Sequence, residues 1–193
     1  MTESAGDVVV AETRARRRTL GLLALALVLS MSTWFSASAV LPQLESLWGL
    51  TSPERAWLTV AVQIGFVVGA LVSTAITLPD LVSPQRVILV SSLGAAAVNL
   101  GLLGVDEAWP ATLLRLLTGF FLAGVYPPAL KLMATWYRRD RGMALGLILG
   151  ALTLGSALPH LINGVGGLDW RLVIVMTSRR PSKIWTRDES RGT

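Results

Sequence analysis

The stretch LGLLALALVLSMSTWFSASAVL, Leu20–Leu41, runs without a single charged residue. A helix needs about 20 apolar residues to cross the ~30 Å hydrocarbon core of a bilayer, so this run is long enough to span. Four more stretches read the same way: Trp57–Leu78, Val87–Val105, Trp109–Ala134 and Met143 to Gly164. Trp109–Ala134 is interrupted only by Arg115 and Lys131, and the last run carries the sole histidine, His160. Repeated spans without a following soluble segment argue against a cleaved signal peptide. The reading is an all-α membrane protein with five complete transmembrane helices and the start of a sixth.

Composition agrees. The chain is 52% hydrophobic and 15% charged, where soluble domains carry about a quarter charged residues. Its mean hydropathy is +0.59. Lipid, as the solvent for most of the surface, resolves the shortage of polar residues. There is no cysteine, which removes disulfides and thiolate chemistry. The net charge of +5 is clustered beside the spans and interleaves with no aromatic face, so nucleic acid is not a partner.

The charges also orient the chain. With the N-terminus in the cytoplasm, the inside segments hold Arg14, Arg16, Arg17 and Arg18, then Arg86, then Arg138, Arg139 and Arg141. The outside segments hold Arg55 and Arg171 beside Glu45, Glu54, Asp106, Glu107 and Asp169. That distribution follows the positive-inside rule of cell membranes. Trp48, Trp57, Trp109, Trp136 and Trp170 fall at span boundaries, where an amphipathic indole prefers to lie.

Gly65 and Gly69 stand four apart, as do Gly142, Gly146 and Gly150. On a helix such glycines share a face and admit close packing of a second backbone. Pro127 and Pro128 should bend the fourth span, because the chain there loses donors and gains ring clashes. Residues 1–18 form a basic cytoplasmic tail and 19–177 the helical bundle. Residues 178–193 are polar and basic, and a sixth apolar segment from Leu172 stops after Thr177. This ending predicts a truncation or frameshift near Ser178; the alternative is a five-helix protein with a basic external tail.

Three motifs then meet in order. RLLTG, Arg115 to Gly119, resembles the fourth-helix RxxxG motif of the major facilitator superfamily. LPDLVSPQRVIL is similar to its signature loop, with Asp80 and Arg86 matching; Ile76 and Ser83 replace glycines, and Leu81 and Gln85 replace basic residues. WYRRDRGMALGLILGALTLGSALP resembles the following loop and fifth helix, loosely like the nitrate, nitrite and cyanate porter branch. The resemblance implies the N-terminal half of a secondary transporter that moves a small molecule by alternating access between two six-helix halves. A missing C-terminal half or partner subunit follows, with the lipid bilayer as surroundings and an ion gradient, a proton being one candidate, or a solute gradient as the driving force. The competing class is a non-transporting membrane subunit or pseudogene product.

Arg115 is the sharpest candidate, about 9 Å along the helix from Trp109 at 1.5 Å per residue. A cation at that depth is costly unless it is paired, hydrated or turned to the bundle interior. It either meets an anionic substrate or takes part in proton coupling, or it makes a structural bond to a carbonyl or snorkels. His160 and Asn163 near the end of the fifth run, Tyr126 in the fourth, and Trp34 in the first are the further substrate or proton-coupling candidates. For His160 a satisfied polar group competes, and for Trp34 lipid contact competes. The resemblance implies a conformational latch of Asp80, Arg86 and Arg141, and adds Gly119 to the packing glycines. Lys131 reads as snorkelling. No phosphate-binding GxxxxGKS, HExxH or GxSxG context occurs, so no metal or cofactor site is expected and an enzyme is the losing class.

Overall fold

The first apolar run lies within α1, a helix over Ala5–Trp48. The computed structural model describes residues 5–76, 82–137, 140–166 and 169–178. Helix α1 starts well before Leu20, and the segment just ahead of the apolar run, residues 11–18, is built mostly of Ala, Glu and Arg, which favour helix. Helix α2 covers Ser52–Ala75. Its start is fixed by Thr51, whose N–H and hydroxyl donate to the Glu54 carboxylate at 2.8 and 2.7 Å. Helix α3 runs Pro84–Leu100 and tightens into a 3₁₀ turn over Gly101–Gly104.

The fourth span is two helices, α4 over Ala108–Leu122 and α5 over Tyr126–Trp136. The bend falls at Ala123–Val125, immediately before the two prolines. There the chain makes tight turns, Gly124 N–H to Phe121 O and Val125 N–H to Leu122 O, both 3.0 Å. Pro127 and Pro128 then occupy the first turn of α5, where a missing N–H costs nothing. Helix α6 covers Arg141–Gly166 and the short α7 covers Trp170–Thr177. Asp169 caps α7 by accepting from the Arg171 N–H at 3.0 Å. Among the described residues five helical stretches are long and apolar enough to cross a membrane: Arg17–Trp48, Ser52–Ala75, Pro84–Gly104, Ala108–Met133 and Gly142–Ile162.

The spans pack chiefly as two pairs, α2 on α4 and α1 on α6, with α3 against α4 and α7 against α1. Glycine makes the first pair close. A Cβ at Gly65 would overlap the Leu116 carbonyl, one at Gly69 the Phe120 carbonyl, and one at Gly119 the Val62 carbonyl. On the second pair Gly155 does the same work against Val28 and Met31. Gly142, Gly146 and Gly150 meet nothing within 4 Å.

Two apolar cores stack along the bundle. One holds Leu20, Leu23 and Leu27 of α1 with Ile88, Ala95, Leu122 and Ile148. The other holds Ala37, Val40 and Leu44 of α1 with Leu102, Ala111, Val173 and Ile174. The outside is apolar too: Val60, Ile64, Val67 and Leu71 on α2 and Leu145, Leu149 and Leu154 on α6 are exposed, as lipid contact requires. What remains between the cores is polar.

Candidate functional site

The sequence STWFS, Ser32–Ser36, crosses the gap between the two cores. Ser30, Ser32, Thr33 and Ser36 of α1 are buried there, together with Asn99, Arg115, Thr177 and Ser178. Hydroxyls tolerate helix interiors in lipid by bonding to carbonyls one turn back. Ser32 lies 2.9 Å from the Val28 carbonyl, Thr33 3.0 Å from that of Leu29, and Ser36 2.8 Å from that of Thr33.

Each hydroxyl also reaches another helix. The Ser32 Oγ lies 3.1 Å from the Gly155 carbonyl of α6, within reach of its single proton. The Thr33 Oγ1 lies 2.9 Å from the Thr177 carbonyl of α7. The Ser36 Oγ donates to Asn99 Oδ1 of α3 at 3.1 Å, and Asn99 Nδ2 donates on to the Ser178 Oγ at 3.0 Å. Rings complete the set. Trp34 meets Phe66 of α2 edge-on with centroids 5.3 Å apart, and Phe35 lies 6.5 Å from the His160 ring of α6. Five consecutive residues of α1 therefore touch α2, α3, α4, α6 and α7.

Helix α4 contributes Arg115. Its side chain is 0% exposed, the largest fully buried one among the described residues. Nη1 donates to the Thr33 carbonyl at 3.3 Å and Nη2 donates to the Trp34 carbonyl. Nε is buried and has no partner among the described residues. Among the described residues no carboxylate pairs with this guanidinium. A desolvated cation held only by main-chain dipoles keeps most of its attraction for an anion, since neutral carbonyls leave the charge uncompensated. Beside Thr33 a cavity of ≈ 30 Å³ is lined by Ser30, Ser92, Thr177 and Ser178. The Ser92 hydroxyl there has no protein partner. That space suits about one water and no organic solute.

The other expected residues are distributed. Trp34 is in the polar layer. His160 is exposed on α6 beyond Phe35. Tyr126 is half-buried in the first turn of α5, packed on the first core and away from Arg115. Arg86 is exposed in the first turn of α3. Asp80 and the tail 179–193 lie outside the described residues, as do the side chains of Arg141 and Asn163 on α6. Sequence reasoning passed over Asn99, Thr177 and Ser178. A lone amide in the apolar run Val87–Val105 was the available signal for Asn99.

A family model described as Major Facilitator Superfamily matches residues 23–178. The chain belongs to the major facilitator superfamily. Two curated members are similar over part of their length. The MFS transporter prlL of a fungal species (strain NRRL 50135) is 27% identical over 102 residues, 48% of this chain and 21% of that protein. The gallate transporter of Pseudomonas putida is 25% identical over 139 residues, 70% of this chain and 30% of that protein. The chain thus aligns with under a third of either superfamily relative. Neither is named as a nitrate, nitrite or cyanate porter.

Proposed function

We propose that this chain is one half of a gradient-driven permease for a small organic anion, and that Arg115 is the residue that meets the anion. The observation that carries the reading is a fully buried guanidinium with no acidic partner among the described residues, level with the polar layer between the two cores. Structural anchoring alone does not need a charge there; an apolar side chain would hold α4 against α1 at lower desolvation cost. Similarity to the gallate transporter of Pseudomonas putida, gallate being an organic anion, adds support. Trp34, and more remotely Tyr126, His160 and Asn163, would contact substrate or a coupling proton as the halves rock. Asp80, Arg86 and Arg141 would latch the loop end of the bundle. The N-terminus would lie in the cytoplasm of a cell whose inner or plasma membrane holds the protein.

A second six-helix half would complete the path, in a longer chain or in a partner. The open face of Gly142, Gly146 and Gly150 favours such a neighbour. It equally favours the second reading, an assembly subunit that transports nothing itself.

Uptake of labelled small anions, gallate first, under an imposed pH gradient into proteoliposomes that hold this chain together with the six-helix half that completes it tests the proposal. Wild type takes up one of them, Arg115→Lys retains part of the rate, and Arg115→Ala abolishes it. Equal uptake by Arg115→Ala overturns the role of Arg115, and no uptake of any small solute favours the assembly subunit.

A further inference from the structure

At the end of the bundle where α2 and α4 begin, their first turns enclose a cavity of ≈ 200 Å³ lined by Pro53, Glu54, Trp57, Ala108, Trp109 and Thr112. We infer that this cavity binds the ammonium headgroup of a zwitterionic phospholipid, with Glu54 as counter-charge and Trp57 and Trp109 as the aromatic walls. The inference does not depend on the transport reading.

The Glu54 carboxylate is held in place by two donors from Thr51, which are neutral and leave its charge uncancelled. The adjacent cation, Arg55, is engaged elsewhere: its Nη1 reaches both oxygens of Glu45 at 2.8 Å. Among the described residues no cationic side chain pairs with Glu54. A single carboxylate supplies too few oxygens for a divalent metal, and among the described residues no metal-ligating cluster exists. An ammonium is the cation that uses both features present, since it pairs with the carboxylate and is attracted to indole faces. Trp57 and Trp109 are 54% and 72% exposed, so both rings are available.

The surface below the cavity separates a lipid from a free amine. Trp57 heads an exposed apolar line down α2 through Val60, Ile64, Val68 and Leu71, at the spacing that keeps one helix face. Trp109 heads a matching line down α4 through Leu113 and Leu117. A soluble amine would use neither. A phospholipid uses both, with its headgroup in the cavity at the membrane boundary and its acyl chains along the two lines.

Native mass spectrometry of the full chain released from nanodiscs of equal phosphatidylethanolamine and phosphatidylglycerol tests this. Wild type is expected to retain phosphatidylethanolamine about fivefold over phosphatidylglycerol, the size of one partly exposed cation–π and ion-pair contact. Glu54→Gln removes the charge while a Gln still serves the Thr51 cap, and it should erase the preference. Trp57→Leu with Trp109→Leu should erase it too, with the apolar surface kept. Retention without preference in wild type, or an unchanged preference in Glu54→Gln, overturns the assignment. Competition by free O-phosphoethanolamine at the same concentration as the lipid also overturns it, in favour of a soluble amine.

Discussion

Replacing Arg115 by methionine should stabilise the chain while removing its function. An arginine at the centre of a membrane helix costs about 3 kcal/mol on insertion scales. Against that stand two bonds, to the carbonyls of Thr33 and Trp34. Both carbonyls already accept the regular bonds of an unbroken α1, so the arginine bonds are secondary. Interhelical bonds in membranes are worth about 0.6 kcal/mol each on average. The balance is about 2 kcal/mol in favour of Arg115→Met, because a flexible thioether fills the same buried space without a charge. Reversible unfolding in bicelles measures it directly, and a rise of that size is expected. A loss of about 1 kcal/mol or more would instead make Arg115 a structural clamp.

Other substitutions separate the packing from the polar layer. Gly65→Leu and Gly119→Leu should each destabilise by about 1–3 kcal/mol or more, because the added side chain meets the main chain of the facing helix; Gly146→Leu should stay within about 0.5 kcal/mol, and the same unfolding assay distinguishes them. Asn99→Ala should cost about 1–2 kcal/mol, since Ser36 and Ser178 both lose a partner in a buried setting. A Ser36→Ala/Asn99→Ala double-mutant cycle should show that the two losses do not add. Glu45→Gln should change stability by less than about 1 kcal/mol because its ion pair with Arg55 is solvent-accessible.

The spans themselves were legible because crossing a bilayer sets a length and an apolarity that few other structures share. Their ends were less so. Arginines before Leu20 mark a membrane boundary without ending a helix, and α1 continues through them. The bend in the fourth span was readable from Pro127 and Pro128, although Gly124 and its tight turn place it just upstream. The glycine motifs show the limit of local pattern. Gly65 and Gly69 share their spacing with Gly142, Gly146 and Gly150, yet only the first pair faces another backbone in this chain. Which helix lies opposite is a property of the whole bundle. The polar layer was half-visible for the same reason: Ser32, Thr33, Trp34 and Ser36 attract notice in an apolar run, whereas Thr177 and Ser178 read as the remnant of a span. Their bonds to Thr33 and Asn99 depend on contacts far apart in the chain.

Binding of a small anion at Arg115 is tested most directly by ligand-dependent thermal unfolding. Gallate and related monoanions, each titrated into the solubilised chain, should raise the midpoint of wild type, by about 2.7 kcal/mol of linkage for one anion at a hundredfold excess over its Kd. Arg115→Met should show no such rise, though its own midpoint is higher. An equal ligand-induced rise in Arg115→Met, or none in wild type for any anion, would mean that Arg115 is not the anion site.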